Sequence, residues 1–198
     1  MVRHEESVVP MTKQNEPDTK ISKFLSYVLR HAPESVGIKL DSHGWALIVE
    51  LAAKSDELLT RDLIITVVAA SDKQRFALSE DGIRIRANQG HSISINLGLN
   101  TSHPPPVLYH GTAHRFLDEI MKTGLSRMQR THVHLTEFWQ VALETGSRYG
   151  RPAVLKIDTR PMVETGTNFY LTANNVWLVD SVPPNSISYD SETEPQTT

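Results

Sequence analysis

Residues 75–87 read RFALSEDGIRIRA, and this stretch decides the fold of the N-terminal half. Apolar and polar residues alternate on both sides of Glu80-Asp81-Gly82, the pattern of two strands joined by an Asp-Gly turn. Strand geometry places Arg84 and Arg86 on the face opposite Ile83 and Ile85. On the N-terminal side, Thr60–Ala69 reads as a helix capped by Thr60, and Ala46–Lys54 as another. Farther back, Ile21, Phe24, Leu25, Val28 and Leu29 form one apolar helical stripe. Asp18 or Thr19 can cap that helix, and Pro33 stops it. Three helices followed by a hairpin predict a winged-helix lobe over residues 20–100.

On the C-terminal side, residues 101–106 read TSHPPP. Consecutive prolines continue neither a helix nor a central strand, so this is a linker. Beyond it, short strands are expected at Val107–Tyr109, His132–Leu135, Ala153–Ile157, Phe169–Leu171 and Val176–Val179. Helices near Phe116–Lys122 and Phe138–Thr145 separate them. The class is α+β, with a second lobe over residues 107–188. Residues 1–19 and 189–198 are polar and read as disordered tails, the latter beginning near Ser188.

The chain has 198 residues, no cysteine and a formal charge of −3. Disulfides, thiolate nucleophiles and Cys-based zinc sites are excluded, and no apolar run is long enough for a membrane helix. A cytoplasmic location is expected, or a nuclear one in a eukaryote. The charge is −2 over residues 1–19, +1 over 20–100 and −2 over 107–198. A broad basic face for nucleic acid is therefore absent, and an anion site must be a local group of arginines.

Several residues are candidates for chemistry. Arg30-His31 ends the first helix, where cations favour the free carbonyls; the pair either caps the helix or leaves it to grip an anion. Arg84 and Arg86 lie on a solvated strand face or beside the polar run Asn88-Gln89-Gly90-His91-Ser92. Tyr109-His110-Gly111-Thr112 ends a strand and enters a loop, where Gly111 lets a ligand approach the backbone. His132 and His134 share a strand face, but spacing supplies no third ligand, so no metal is expected. Arg127 and Arg130 precede that pair, and Arg130 either faces solvent or an anion.

The motifs LSYVLRHAP (25–33), GW (44–45), IRANQGHS (85–92), LYHGT (108–112), MQRTHVHL (128–135), NVWL (175–178) and VPP (182–184) occur in this order. Together they resemble the RNA 2′-phosphotransferases over about residues 20–188. The resemblance implies a winged-helix lobe and an ADP-ribosyltransferase-like lobe. It implies removal of an internal 2′-phosphate from RNA, of the kind left at a tRNA splice junction, with NAD+ as a consumed co-substrate. Nicotinamide and ADP-ribose 1″,2″-cyclic phosphate would be the other products. The family's Arg-His-Arg-Arg tetrad maps onto Arg30, His31, Arg86 and Arg130. His110, Gly111, Thr112, His134, Thr136 and Arg148 map onto the NAD+ side, with Arg148 toward the pyrophosphate. Thr136 stands where Ser is common in the family. Asn174-Asn175-Val176 occupies the place where polymer-forming relatives carry a catalytic Glu.

The residue types suit that chemistry. Two anionic reactants repel, and guanidinium forks that remain charged hold phosphate oxygens. His31 titrates near neutrality and can move a proton. An ADP-ribosyltransferase acting on 5′-phosphates or protein would use the same NAD+ lobe. A non-enzymatic winged-helix module is a third reading, and one that gives the tetrad no purpose.

Overall fold

The computed structural model describes residues 16–55, 59–71 and 73–189. The two tail segments 1–15 and 190–198 lie outside the described residues.

The N-terminal half is built on α1 (Glu16–Arg30). Leu25, Val28 and Leu29 of the apolar stripe are fully buried. The helix starts inside the expected tail; Pro17 suits a first turn, where no N–H is needed. Around the stripe pack β1 (Ala46–Leu47), α2 (Ile48–Lys54), α3 (Arg61–Ala69), β2 (Phe76–Leu78) and β3 (Arg84–Ala87). Thr60 caps α3 as expected, its Oγ1 accepting from Leu63 N at 3.2 Å. The hairpin forms, with Gly82 at φ 65° in its turn. Two expectations change. Ala46 and Leu47 are not helical but pair with Ile85 and Arg84, so β3 is the middle strand of three. Ile83 is exposed, because the strand begins only at Arg84, while Ile85 is fully buried.

The C-terminal half contains β4 (Val107–Ala113), α4 (Leu117–Thr123), β5 (Leu125–Ser126), β6 (Val133–Leu135) and α5 (Trp139–Gly146). It continues with β7 (Pro152–Asp158), α6 (Arg160–Glu164), β8 (Tyr170–Leu171), β9 (Trp177–Val179), β10 (Ser181–Val182) and β11 (Ile187–Tyr189). Two antiparallel three-stranded sheets, ordered β11-β7-β4 and β6-β9-β8, share one core that includes Leu108, Leu135, Leu155, Phe169 and Val179. A bridge between Tyr109 and Thr136 joins the sheets. The whole is α+β. Ser188 and Tyr189 belong to no tail: they pair with Lys156 and Leu155 on the edge of β7. The proline segment is fastened, with Thr159 donating to the carbonyls of Pro105 and Pro106 at 2.6 and 3.1 Å. Among the described residues no helix is long and apolar enough to cross a membrane.

Contacts between the halves include two sets. Thr131 N donates to His91 O at 3.0 Å. Elsewhere Asn174 Nδ2 donates to Lys73 O at 3.2 Å, and Lys73 pairs with Glu144 at 3.8 Å. The first set holds the candidate site.

Candidate active site

Arg30 and His31 sit where α1 ends and the chain turns toward Pro33. The loop after β3 folds back onto them: Ser92 N donates to Arg30 O at 3.0 Å, and His31 Nδ1 lies 2.9 Å from Ser92 Oγ. Gly90, at φ 90°, lies against the Arg30 side chain; a Cβ there would come within 3.6 Å of the guanidinium, at a left-handed backbone that other residues avoid. Arg30 Nε and Nη2 are buried without a hydrogen-bond partner. Burial, then the neighbouring charges of Arg75 and Arg130, push its pKa down to about 10. The group is still charged at neutral pH. The same causes, burial first and then Arg30 and Arg130, hold His31 below the ordinary imidazole value.

Arg86 projects from β3 over the Trp45 ring, its Cζ 4.6 Å from the ring centroid, and its Nη1 donates to Leu97 O at 3.3 Å. The stack fixes the guanidinium plane, while its Nε remains buried and unpaired. His91 feels the charge of both Arg30 and Arg86. Its side chain is 1 % exposed, and neither ring nitrogen has a partner. Desolvation, followed by repulsion from Arg30, His31 and Arg86, lowers its pKa to about 4.

The C-terminal half delivers Arg130 to this group through the Thr131–His91 bond. Arg130 Nη1 lies 3.4 Å from His134 Nδ1. A guanidinium beside an imidazole nitrogen opposes a second cation there, so the geometry at His134 disfavours a metal ion. His110 Nδ1 is 2.9 Å from His134 O. A carbonyl only accepts, so His110 must carry its proton on Nδ1 and present a bare Nε2. Burial lowers the pKa of both imidazoles, that of His134 to about 3 with help from Arg130 and His110. His134 Nε2 is buried and unpaired.

Arg30, His31, Arg86, Arg130, His110 and His134 are thus close enough to perturb one another or a shared neighbour. The other expected residues differ. His110, Gly111 and Thr112 are not in a loop but inside β4. Gly111 faces α5: a Cβ would lie 1.8 Å from Ala142 O. Its smallness is required by the packing of α5. Thr112 is buried beside it. Thr136 Oγ1 accepts from Phe138 N at 3.2 Å and sets the entry to α5. Arg148 is exposed in the turn after α5, and no hydrogen bond or ion pair ties its side chain to the described residues. His132 contributes least to the group, a weak repulsion felt at His134, and stands 4.0 Å from Asp180 and edge-on to Tyr170. Trp45, His91 and Ser92 were not among the expected site residues. Their signals were present, as GW and as HS closing IRANQGHS, but only the contacts give them roles.

A family model described as RNA 2′-phosphotransferase, Tpt1 / KptA family, matches residues 16–181. A probable RNA 2′-phosphotransferase of Agrobacterium fabrum is 51% identical over 181 residues, covering 89% of this chain and 97% of that protein. A protein of the same description from Flavobacterium johnsoniae is 48% identical, covering 86% and 96%. One from Acaryochloris marina is 51% identical, covering 82% and 92%.

Proposed function

The chain belongs to the RNA 2′-phosphotransferase family, and from that premise we propose that it removes an internal 2′-phosphate from RNA with NAD+ as consumed co-substrate. In this reading residues 20–100 are a winged-helix lobe and residues 107–188 an ADP-ribosyltransferase-like lobe. The products are 2′-OH RNA, nicotinamide and ADP-ribose 1″,2″-cyclic phosphate. The observation that carries the proposal is the arginine group: Arg30 and Arg86 from one half and Arg130 from the other, with Arg30 and Arg86 holding buried, unpaired nitrogens. An isolated buried cation is costly, and an incoming phosphate supplies the missing acceptors.

Each side chain then has a task. The three guanidiniums hold the phosphoryl oxygens and offset charge that develops on them. Trp45 keeps the Arg86 fork in one plane. His31 is neutral near pH 7, its pKa being lowered by burial and by Arg30 and Arg130. It can therefore take a proton as a base, and the arriving phosphate charge favours the protonated form that returns it. On the other side, His110 Nε2 is a bare acceptor, while His134, whose Nδ1 accepts from Arg130, carries its proton on Nε2 and presents a buried, unpaired donor; both suit ribose hydroxyls. That acceptor beside a donor is what fits NAD+, whose role is to supply an electrophilic ribose carbon with nicotinamide as leaving group. Holding both reactants here removes an entropic barrier that would otherwise dominate.

The test is an oligonucleotide bearing one internal 2′-phosphate, incubated with and without NAD+, with every product identified. Loss of the phosphate only with NAD+, with nicotinamide and the cyclic phosphate released, is the expected result. A stable ADP-ribosylated product would instead assign the chain to phosphate modification, and phosphate loss without NAD+ would remove the co-substrate.

A further inference from the structure

Helix α1 has a second face that the arginine group does not use. Opposite the apolar stripe, Ser22, Lys23, Ser26 and Tyr27 line a cleft of about 340 Å³, with Ser71 and Arg75 on the facing wall. His31 also lines this cleft, so one of its ends opens on the candidate site. No acidic side chain lines it among the described residues, although the chain as a whole is net acidic. The Tyr27 ring is 54% exposed and tilted against the His31 ring, with centroids 6.4 Å apart. Ser71 Oγ is buried without a partner.

We propose that this cleft holds an RNA nucleotide adjacent to the 2′-phosphorylated one, its base stacked on Tyr27 and its backbone phosphate met by Lys23 and Arg75. The proposal rests on the functional reading above and adds the path of the strand. A flat aromatic face, two cations and free hydroxyls are what a single-stranded nucleic acid needs, independent of base identity. A solvated helix face would account for Lys23 and the serines. It does not account for a facing wall that carries a second cation, nor for an aromatic ring half out of water beside His31. The RNA is favoured over NAD+ because every lining residue belongs to the N-terminal half, whereas His110 and His134, the imidazoles assigned to NAD+, belong to the C-terminal half.

The experiment compares two 2′-phosphorylated substrates, a single nucleoside 2′-phosphate and a ten-nucleotide strand, with the full-length chain and saturating NAD+. The wild-type chain is expected to prefer the strand in kcat/KM. Tyr27→Ala and Lys23→Gln each cut that preference roughly tenfold through KM. Tyr27→Phe, which retains the stacking face, keeps it. An unchanged preference in Tyr27→Ala and Lys23→Gln overturns the proposal. So does equal loss on both lengths, which would confine Tyr27 to supporting His31, and so does a change confined to the KM for NAD+. A wild-type chain that turns over neither substrate sinks the functional reading and the cleft with it.

Discussion

The two sides of the candidate site solve the problem of burial in opposite ways. On one side Arg30 keeps its charge: its pKa falls only to about 10, and two of its nitrogens stay unpaired. On the other, His134 gives its proton up, its pKa falling to about 3, and His110 follows in the same direction. Arginine has no neutral form available near pH 7, so the cost of burying it persists until an anion arrives. Histidine escapes that cost by giving up a proton and becoming neutral. In the proposed function one side therefore takes phosphate and the other ribose hydroxyls. His91, wedged among Arg30, His31 and Arg86, shows that an imidazole adopts the neutral solution even within the cationic side.

The largest expected effect breaks the arginine side. Arg30→Met should lower turnover of 2′-phosphorylated RNA by about 10²- to 10³-fold, the scale of losing one preorganised charge-stabilising donor. The same change should raise stability by about 1 kcal/mol, because it removes a desolvated cation that repels Arg75 and Arg130. Product release and urea unfolding at pH 7.5 measure the two. A variant that loses stability along with activity would show that Arg30 is held by partners that already satisfy it, and the contrast between the two sides would collapse.

The second prediction sharpens the imidazole side. His91 and His134 have folded pKa values of about 4 and about 3, below the ordinary 6.5 of the unfolded chain. Between those values the unfolded chain binds more protons, so stability falls as pH falls. The contribution is complete above pH 6.5 and is lost progressively toward pH 4 and below. A drop of about 2 kcal/mol is expected between pH 7.5 and 5.5. His91→Asn and His134→Asn should each flatten that slope. Arg30 contributes no slope in this window, since it is protonated in both states. Urea midpoints that do not move between the two pH values, or that move equally in both variants and the wild type, would remove the imidazoles from the account.

Much of this contrast was legible in the sequence. Ile21 to Leu29 gave the buried face of α1, and the Asp81-Gly82 turn gave the hairpin that carries Arg86. The ordered motifs singled out Arg30, His31, Arg86 and Arg130, which the fold brings near one another or a shared neighbour. What escaped depended on contacts between distant residues. Ala46 and Leu47 are good helix formers, and only Ile85 and Arg84, nearly forty positions on, make them a strand. Gly111 read as a break in β4 because its reason, the backbone of Ala142, is thirty-one residues away. The two-residue strands β5 and β10 carry no period to detect, although Leu125 pairs with Val182. His91 stood within a polar run that reads as a loop, yet it is buried.

The smallest expected effect concerns Arg148, the one cation assigned to the NAD+ side that lies exposed. A guanidinium in open solvent interacts with a bound anion through water and mobile salt. Such exposed contacts are worth about 0–1 kcal/mol. If Arg148 meets the pyrophosphate, Arg148→Ala should raise the KM for NAD+ by about two- to fivefold, with less than a twofold change in kcat. The effect should shrink as salt rises from 0.1 M toward 1 M, since the screening length falls from about 10 Å to about 3 Å. The loss in Arg30→Met should be nearly indifferent to salt, because its nitrogens are shielded from mobile ions. Steady-state kinetics at two ionic strengths separate the outcomes. A salt-insensitive loss of about 100-fold at Arg148 would mean that it becomes enclosed with its ligand and belongs with the arginine side. An unchanged KM for NAD+ at both ionic strengths would take Arg148 out of the site.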